Sequence, residues 1–252
     1  MLKKIASAIR DAISGKKIIE VYENGNRISI VEKGDERVLK FNEITYSKIR
    51  KKDVLTGGYW DYFLPLPMLY ENPKVLVVGL GGGTIPFQFL SFYGNISIEI
   101  VEVSRKMIDI SNLFVPGNML SNAKIVEGDG AAYVREKEMA YDIIILDAYQ
   151  NDSIPDAFLQ NSFIVDAFHA LRNRGVFAVN FAQTLSNSMK FFDFVNKLEL
   201  HFSVYRMAPM FSGNMLLICG KGIDKYEIRD ILSAKGIDKF GINIKNAYMD
   251  LK

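Results

Sequence analysis

Four short segments put glycines or acidic side chains where an apolar run ends, and together they could hold a nucleoside. The first is Val75-Leu76-Val77-Val78-Gly79-Leu80-Gly81-Gly82-Gly83, a buried-strand pattern that runs into a glycine loop. Glycine lets main chain approach a ligand closely at such a turn. Glu102, which ends the next apolar run, is placed to accept both hydroxyls of a ribose. Asp129 in Glu127-Gly128-Asp129-Gly130 and Asp147 in Leu146-Asp147-Ala148-Tyr149 end two further runs. Ligands of open α/β sheets bind at the carboxyl ends of strands, so the four segments should converge. Gly79, Gly81, Gly82 and Gly83 would then carry the ligand's backbone and Glu102 its ribose. Asp129, beside Gly130, would accept from an adenine amino group, and Asp147 would face the reacting end. Each acid alone could instead be a helix N-cap, since Asp favours that position after a strand.

The elements that must position these residues follow from periodicity. From Lys74 onward, strand runs at Val75–Val78, Ile96–Val101, Ala123–Val126, Tyr141–Leu146 and Gly175–Phe181 alternate with helical patterns near 85–93, 104–114, 130–138, 156–171 and 187–200. Such alternation implies a parallel sheet covered on both faces by helices. Phe202–Met207, a turn at Ser212-Gly213-Asn214 and Met215–Cys219 resemble a closing hairpin, which gives seven strands with one antiparallel at the end. That is the pattern of the Rossmann-like class I methyltransferase fold. Ahead of it, Ile18–Tyr22, Arg27–Val31 and Arg37–Phe41 read as a small antiparallel β unit with turns at Glu23–Asn26 and Lys33–Asp35. The expected division is an N-terminal helix and β unit over 1–60 and a nucleoside-binding domain over 61–252. An aromatic connector and helix, Gly57-Gly58-Tyr59-Trp60-Asp61-Tyr62-Phe63 with Pro65 and Pro67, join the two; Tyr59 and Tyr62 are its candidates for a substrate-pocket wall.

The composition narrows the partners. Lys and Arg total 31 against 29 Asp and Glu, so a net charge of +2 gives no electrostatic reason to expect nucleic acid. The single cysteine, Cys219, excludes an internal disulfide framework. His169 and His201 stand apart from any thiol or carboxylate cluster, so no metal is expected. No apolar stretch is long enough to span a membrane and no signal-peptide core opens the chain, which points to the cytoplasm. Leu2, Ile5, Ile9 and Ile13 recur at helical spacing among basic residues; this first helix is expected to pack on its own domain or a second subunit.

The glycine run 75–83, with Val101-Glu102-Val103, Gly128-Asp129-Gly130 and Tyr141–Tyr149, resembles the spermidine synthase family, particularly its divergent spermidine-synthase-like members. The similarity covers roughly residues 40–220. It implies a site for decarboxylated S-adenosylmethionine or S-adenosylmethionine, with methylthioadenosine as the product of aminopropyl transfer, and a homo-dimer or homo-tetramer. Polyamine synthases of that family usually carry Gly-Gly-Gly-Asp-Gly-Gly after the first strand, where the Asp helps hold the aminopropyl amine; this chain has Gly82 there. Their fourth strand ordinarily ends Asp-Ser-Ser/Thr-Asp-Pro, and here Gln150 replaces the second Asp. The histidine that the family carries before the glycine loop is missing from the connector.

An amine must lose a proton before or during attack on the sulfonium carbon, and a positioned carboxylate or tyrosine assists. Asp147, Tyr149 and Asp152 are the catalytic candidates, although Asp152 also suits the start of a helix near Ser153 and Pro155. The leading reading is a transferase that moves an aminopropyl group from a sulfonium nucleoside to a small amine. The alternatives are an S-adenosylmethionine-dependent methyltransferase, whose chemistry needs little beyond proximity and in-line geometry, and a nucleoside-binding scaffold that has lost its catalytic groups.

Overall fold

A computed structural model describes residues 16–23, 25–94, 96–150, 153–182, 188–207 and 213–234. The expected helix over residues 2–13 and the candidate Asp152 lie outside them.

Four strands open the described chain: β1 (Lys16–Glu23), β2 (Asn26–Lys33), β3 (Glu36–Phe41) and β4 (Ile44–Arg50), an antiparallel sheet in sequential order. The reading from sequence expected three. The fourth follows from Asn42, which turns the chain at φ 54° and lets Phe41 pair with Ile44. One face of this sheet, Ile28, Ile30, Leu39 and Ile49, is buried against Phe87, Ile110 and Phe114 of the larger layer. Arg37 reinforces the dock by donating to the carbonyl of Phe114 at 2.8 Å, one of the acceptors left open where a helix ends.

The connector forms short 3-10 turns at Tyr59–Tyr62 and Leu66–Leu69 rather than a helix. Pro65 and Pro67 lack the N–H groups that a continuous helix would require there. The main sheet then follows: β5 (Lys74–Val78), helix α1 (Thr84–Tyr93), β6 (Ser97–Glu102), α2 (Arg105–Phe114), β7 (Lys124–Glu127), α3 (Gly130–Arg135), β8 (Tyr141–Leu146), α4 (Asn161–Ala170), β9 (Leu171–Ala182), α5 (Ser188–Glu199), β10 (Ser203–Met207), β11 (Asn214–Gly220) and α6 (Lys225–Ala234). Its seven strands run in the order β10-β11-β9-β8-β5-β6-β7. The five strands from β9 to β7 are parallel, and β11 is antiparallel to both neighbours. The antiparallel strand, last in sequence, therefore lies one place in from the edge. Helix α6 was not anticipated, and α4 is preceded by a 3-10 turn at Asp156–Leu159 that the sequence pattern merges with it.

Alternation within each strand divides the core. Val75, Val77, Ile143 and Ile145 face a layer with Phe63 and Phe89, while Leu76, Val78, Ile144 and Leu146 face Phe163, Ala167 and Phe194. Strands buried on both faces need the continuous Val/Ile/Leu runs that the sequence carries. Strand order reverses between β5 and its neighbour β8, which opens a crevice at their carboxyl ends.

Candidate active site

A cavity of about 640 Å³ fills this crevice. Its floor is the glycine loop after β5. Gly79 (φ 93°) and Gly81 (φ 52°) line it, and a Cβ on Gly79 would sit 2.6 Å from the carbonyl oxygen of Asp147, so only glycine lets β5 and β8 end side by side. Gly82 and Gly83 do not line the cavity. Gly83 caps α1 in the left-handed region, and its Cβ position meets Val115 and Leu120. The Gly82 amide donates to Ser47 Oγ at 2.7 Å, and a Cβ on Gly82 would come within 2.6 Å of Ser47 Cβ. The N-terminal sheet, through β4, therefore occupies the room that an aspartate at position 82 would use. Ser47 also lines the cavity and was missed as a site residue, although the alternation of Ile44-Thr45-Tyr46-Ser47-Lys48-Ile49 carries the strand signal.

Glu102 lies at the tip of β6 on the cavity wall. Its Oε2 accepts from the Leu80 amide and its Oε1 from the Ser104 amide, each at 2.9 Å. These bonds fix the carboxylate between the glycine loop and the start of α2, and each oxygen retains a lone pair for a hydroxyl donor. Asp129 is exposed and caps α3, its Oδ1 accepting from the Ala132 amide at 2.8 Å; it is not among the lining residues, whereas Gly130 is. Val103, Met107, Gly130, Pro155 and Phe158 give that end of the cavity a mainly apolar wall.

The opposite end is polar and hydrogen-bonded. Asp147, at the tip of β8, accepts from the Tyr59 hydroxyl at 3.1 and 3.2 Å and from Asn180 Nδ2 at 2.8 Å. Asn180 is 1% exposed and in turn accepts from Asn214 Nδ2 at 2.8 Å through its Oδ1. Burial pushes the Asp147 carboxyl up to about 6, against the opposing pull of the Asn180 and Tyr59 hydrogen bonds. The Tyr59 phenol is held well above its ordinary value, by burial first and then by the Asp147 charge, so it stays a proton donor.

Tyr149 lines the cavity, and its hydroxyl donates to the Asn180 carbonyl and accepts from the Ala182 amide at 2.8 Å each, with the Asn214 side chain also hydrogen-bonded to it. Burial and the nearby Asp147 charge push its phenol far above the ordinary range, which suits positioning rather than proton acceptance. Of the two connector tyrosines, Tyr59 lines the cavity; Tyr62 packs on the core beneath the sheet, and Trp60 takes the second aromatic place on the wall. Neither Asn180 nor Asn214 is a site residue in the sequence reading: Asn180-Phe181 lacks an Asn-Pro-Pro-Tyr arrangement, and Asn214 falls in the turn Ser212-Gly213-Asn214. Their only sequence signal is position at the end of β9 and the start of β11.

Among the described residues no group of three or more His, Cys, Asp or Glu is placed to hold a metal, and no helix is long and apolar enough to cross a membrane.

Residues 63–219 match the family model described as the spermine/spermidine synthase domain. The chain belongs to the spermine/spermidine synthase family. A curated relative, the polyamine aminopropyltransferase of Clostridium beijerinckii, is 27% identical over 217 residues, covering 77% of this chain and 72% of the relative. Of two further curated relatives, from Bifidobacterium longum and Vibrio vulnificus, the chain spans only 35% and 43% of the length. Among solved structures, spermidine synthase from Thermotoga maritima superposes with a TM-score of 0.69 at 21% identity, over 93% of this chain and 84% of that one. Human methyltransferase-like protein 13 superposes with a TM-score of 0.59 at 22% identity, over 72% and 88%, so family members and a methyltransferase share this architecture.

Proposed function

We propose that this protein transfers an aminopropyl group from a sulfonium nucleoside, decarboxylated S-adenosylmethionine, to a small amine. The observation that carries this reading is Asp147. It is a carboxylate raised to about 6 at one end of a cavity floored by a glycine loop, with the Glu102 carboxylate on its wall. A base whose pKa lies near the working pH is both deprotonated and able to accept a proton. In the reaction the acceptor nitrogen attacks the carbon bound to the sulfonium, the C–S bond breaks with its electrons going to sulfur, and the amine's proton passes to Asp147. Neutral methylthioadenosine leaves. Tyr59 and Asn180 orient the carboxylate, and the apolar wall around Val103 and Phe158 receives the adenine.

Calorimetric titration with decarboxylated S-adenosylmethionine, S-adenosylmethionine and methylthioadenosine tests the donor, followed by product analysis with a panel of amines. Tightest binding of the decarboxylated donor and formation of an aminopropylated amine are expected. Preference for the intact donor with methyl transfer overturns the reading, and so does nucleoside binding without any turnover.

A further inference from the structure

Asp61 is 5% exposed, does not line the cavity, and gathers the hydrogen bonds of the strap beside it. Its Oδ1 accepts from the Thr56 hydroxyl at 2.7 Å, the Thr56 amide at 2.9 Å and Gln88 Nε2 at 2.6 Å, and its Oδ2 from the Gly57 amide at 2.7 Å. Thr56 and Gln88 are themselves completely buried. The turn closed in this way, with Gly57 at φ 73° and the Trp60 ring packed so close over Gly58 that a Cβ there would clash at 2.6 Å, is the one from which Tyr59 projects. Gln88 belongs to α1, whose first turn is the end of the glycine loop, and its Nε2 also donates to the Val54 carbonyl at 2.9 Å. One carboxylate thus joins the strap carrying Tyr59 to the helix carrying the nucleoside loop.

We propose that Asp61 is a positioning residue: through the Thr56–Gly58 turn and Gln88 it holds the Tyr59 hydroxyl on Asp147 and fixes that pair relative to the glycine loop. The catalytic part of this inference rests on the function proposed above. A side chain with two acceptor oxygens is what these converging donors require, whereas an amide would set N–H against N–H. An unmet buried donor costs enough to displace the strap by the fraction of an ångström that matters at a reacting centre.

The test is Asp61→Asn, with Gln88→Met as a second variant that cuts only the ties made by the Gln88 side chain. Trp60 is the chain's single tryptophan and lies on the cavity wall, so its emission reports the strap directly. Both variants, folded by circular dichroism, are expected to shift Trp60 emission and to lower turnover by about tenfold, the equivalent of one hydrogen bond to a charged group, with the methylthioadenosine Kd within about threefold of the parent. Unchanged Trp60 emission in a folded variant overturns the proposal, and so does a Kd that rises in step with the loss of turnover. If Asp61→Asn does not fold, Gln88→Met decides by the same criteria. If the parent transfers nothing to any amine, the functional reading fails separately. Trp60 emission and the Asp147 titration, followed by carboxyl NMR, then decide: an Asp147 pKa raised in the variants supports Asp61 as the anchor of Tyr59, and an unmoved one refutes it.

Discussion

The Tyr59 hydroxyl donates to both oxygens of Asp147, joining the connector to the tip of β8 across 88 residues of sequence. Asn180 donates to the same carboxylate from β9, so three separate elements meet on one acid. Hydrogen bonds to the charged form lower a carboxyl's pKa and burial raises it; here burial dominates and the balance falls at about 6. Removing Tyr59's donor in Tyr59→Phe should therefore raise the Asp147 value and move the acid limb of the kcat/KM profile to higher pH. Asp147→Asn should cut turnover by roughly 10²–10⁴-fold while nucleoside affinity changes little, the range expected for a lost general base.

The same group makes a stability prediction. Its folded pKa lies above its ordinary value near 3.8, so the native state binds a proton more tightly than the unfolded chain does. The stabilisation from that proton is fully present below about pH 4 and is lost as pH rises through about 6. Asp147→Asn should accordingly raise Tm relative to the parent at pH 8 and give no such gain at pH 4, as thermal denaturation at the two pH values will show.

Glu102 is expected to hold the ribose. Glu102→Ala removes a half-buried acceptor between two fixed amides and should weaken methylthioadenosine binding by about 1–3 kcal/mol. Calorimetry measures this directly, and an unchanged Kd would remove Glu102 from the nucleoside site.

Glu99 lies on β6 away from the cavity, 6% exposed, and accepts from Tyr141, Tyr133 and Lys124. Burial raises its pKa, but the hydrogen bonds from Lys124, Tyr141 and Tyr133 outweigh it and hold the carboxyl at about 2, below its ordinary 4.5. The resulting stabilisation is present above about pH 4.5 and disappears as pH falls through about 2. Glu99→Gln should lower unfolding stability at pH 7 by about 1–3 kcal/mol. The variant and the parent should converge toward pH 2 in urea-denaturation midpoints.

Gly82→Asp would restore the residue that the family resemblance sets at this position, but its Cβ meets Ser47 Cβ at 2.6 Å and Leu39 Cδ2 at 3.0 Å. The single substitution should destabilise by about 1–3 kcal/mol, as overpacking does. Combining it with Ser47→Gly should recover much of that loss in thermal unfolding. A Gly82→Asp protein as stable as the parent would show that β4 yields freely, and that the sheet does not dictate the glycine.

The sequence by itself determined the strand alternation, the glycine loop and the acids ending β6, β7 and β8, because period-two burial and positive-φ turns are local properties that leave a local trace. It also pointed to the family. Tertiary structure alone decided which of these residues share the cavity. Asp129 caps a helix, Tyr62 packs on the core and Gly82 meets Ser47, whereas Tyr149 stays on the cavity wall with its hydroxyl held by the β9 backbone. Asn180, Asn214, Ser47 and Asp61 became part of the site's architecture although no motif marks them. The reason is the length of the links: Asn180 reaches Asp147 across 33 residues, Asn214 reaches Asn180 across 34 and Gln88 reaches Asp61 across 27. A polar side chain takes its role from the partner that burial supplies, and that partner is fixed only when the two sheets and their helices close on one another.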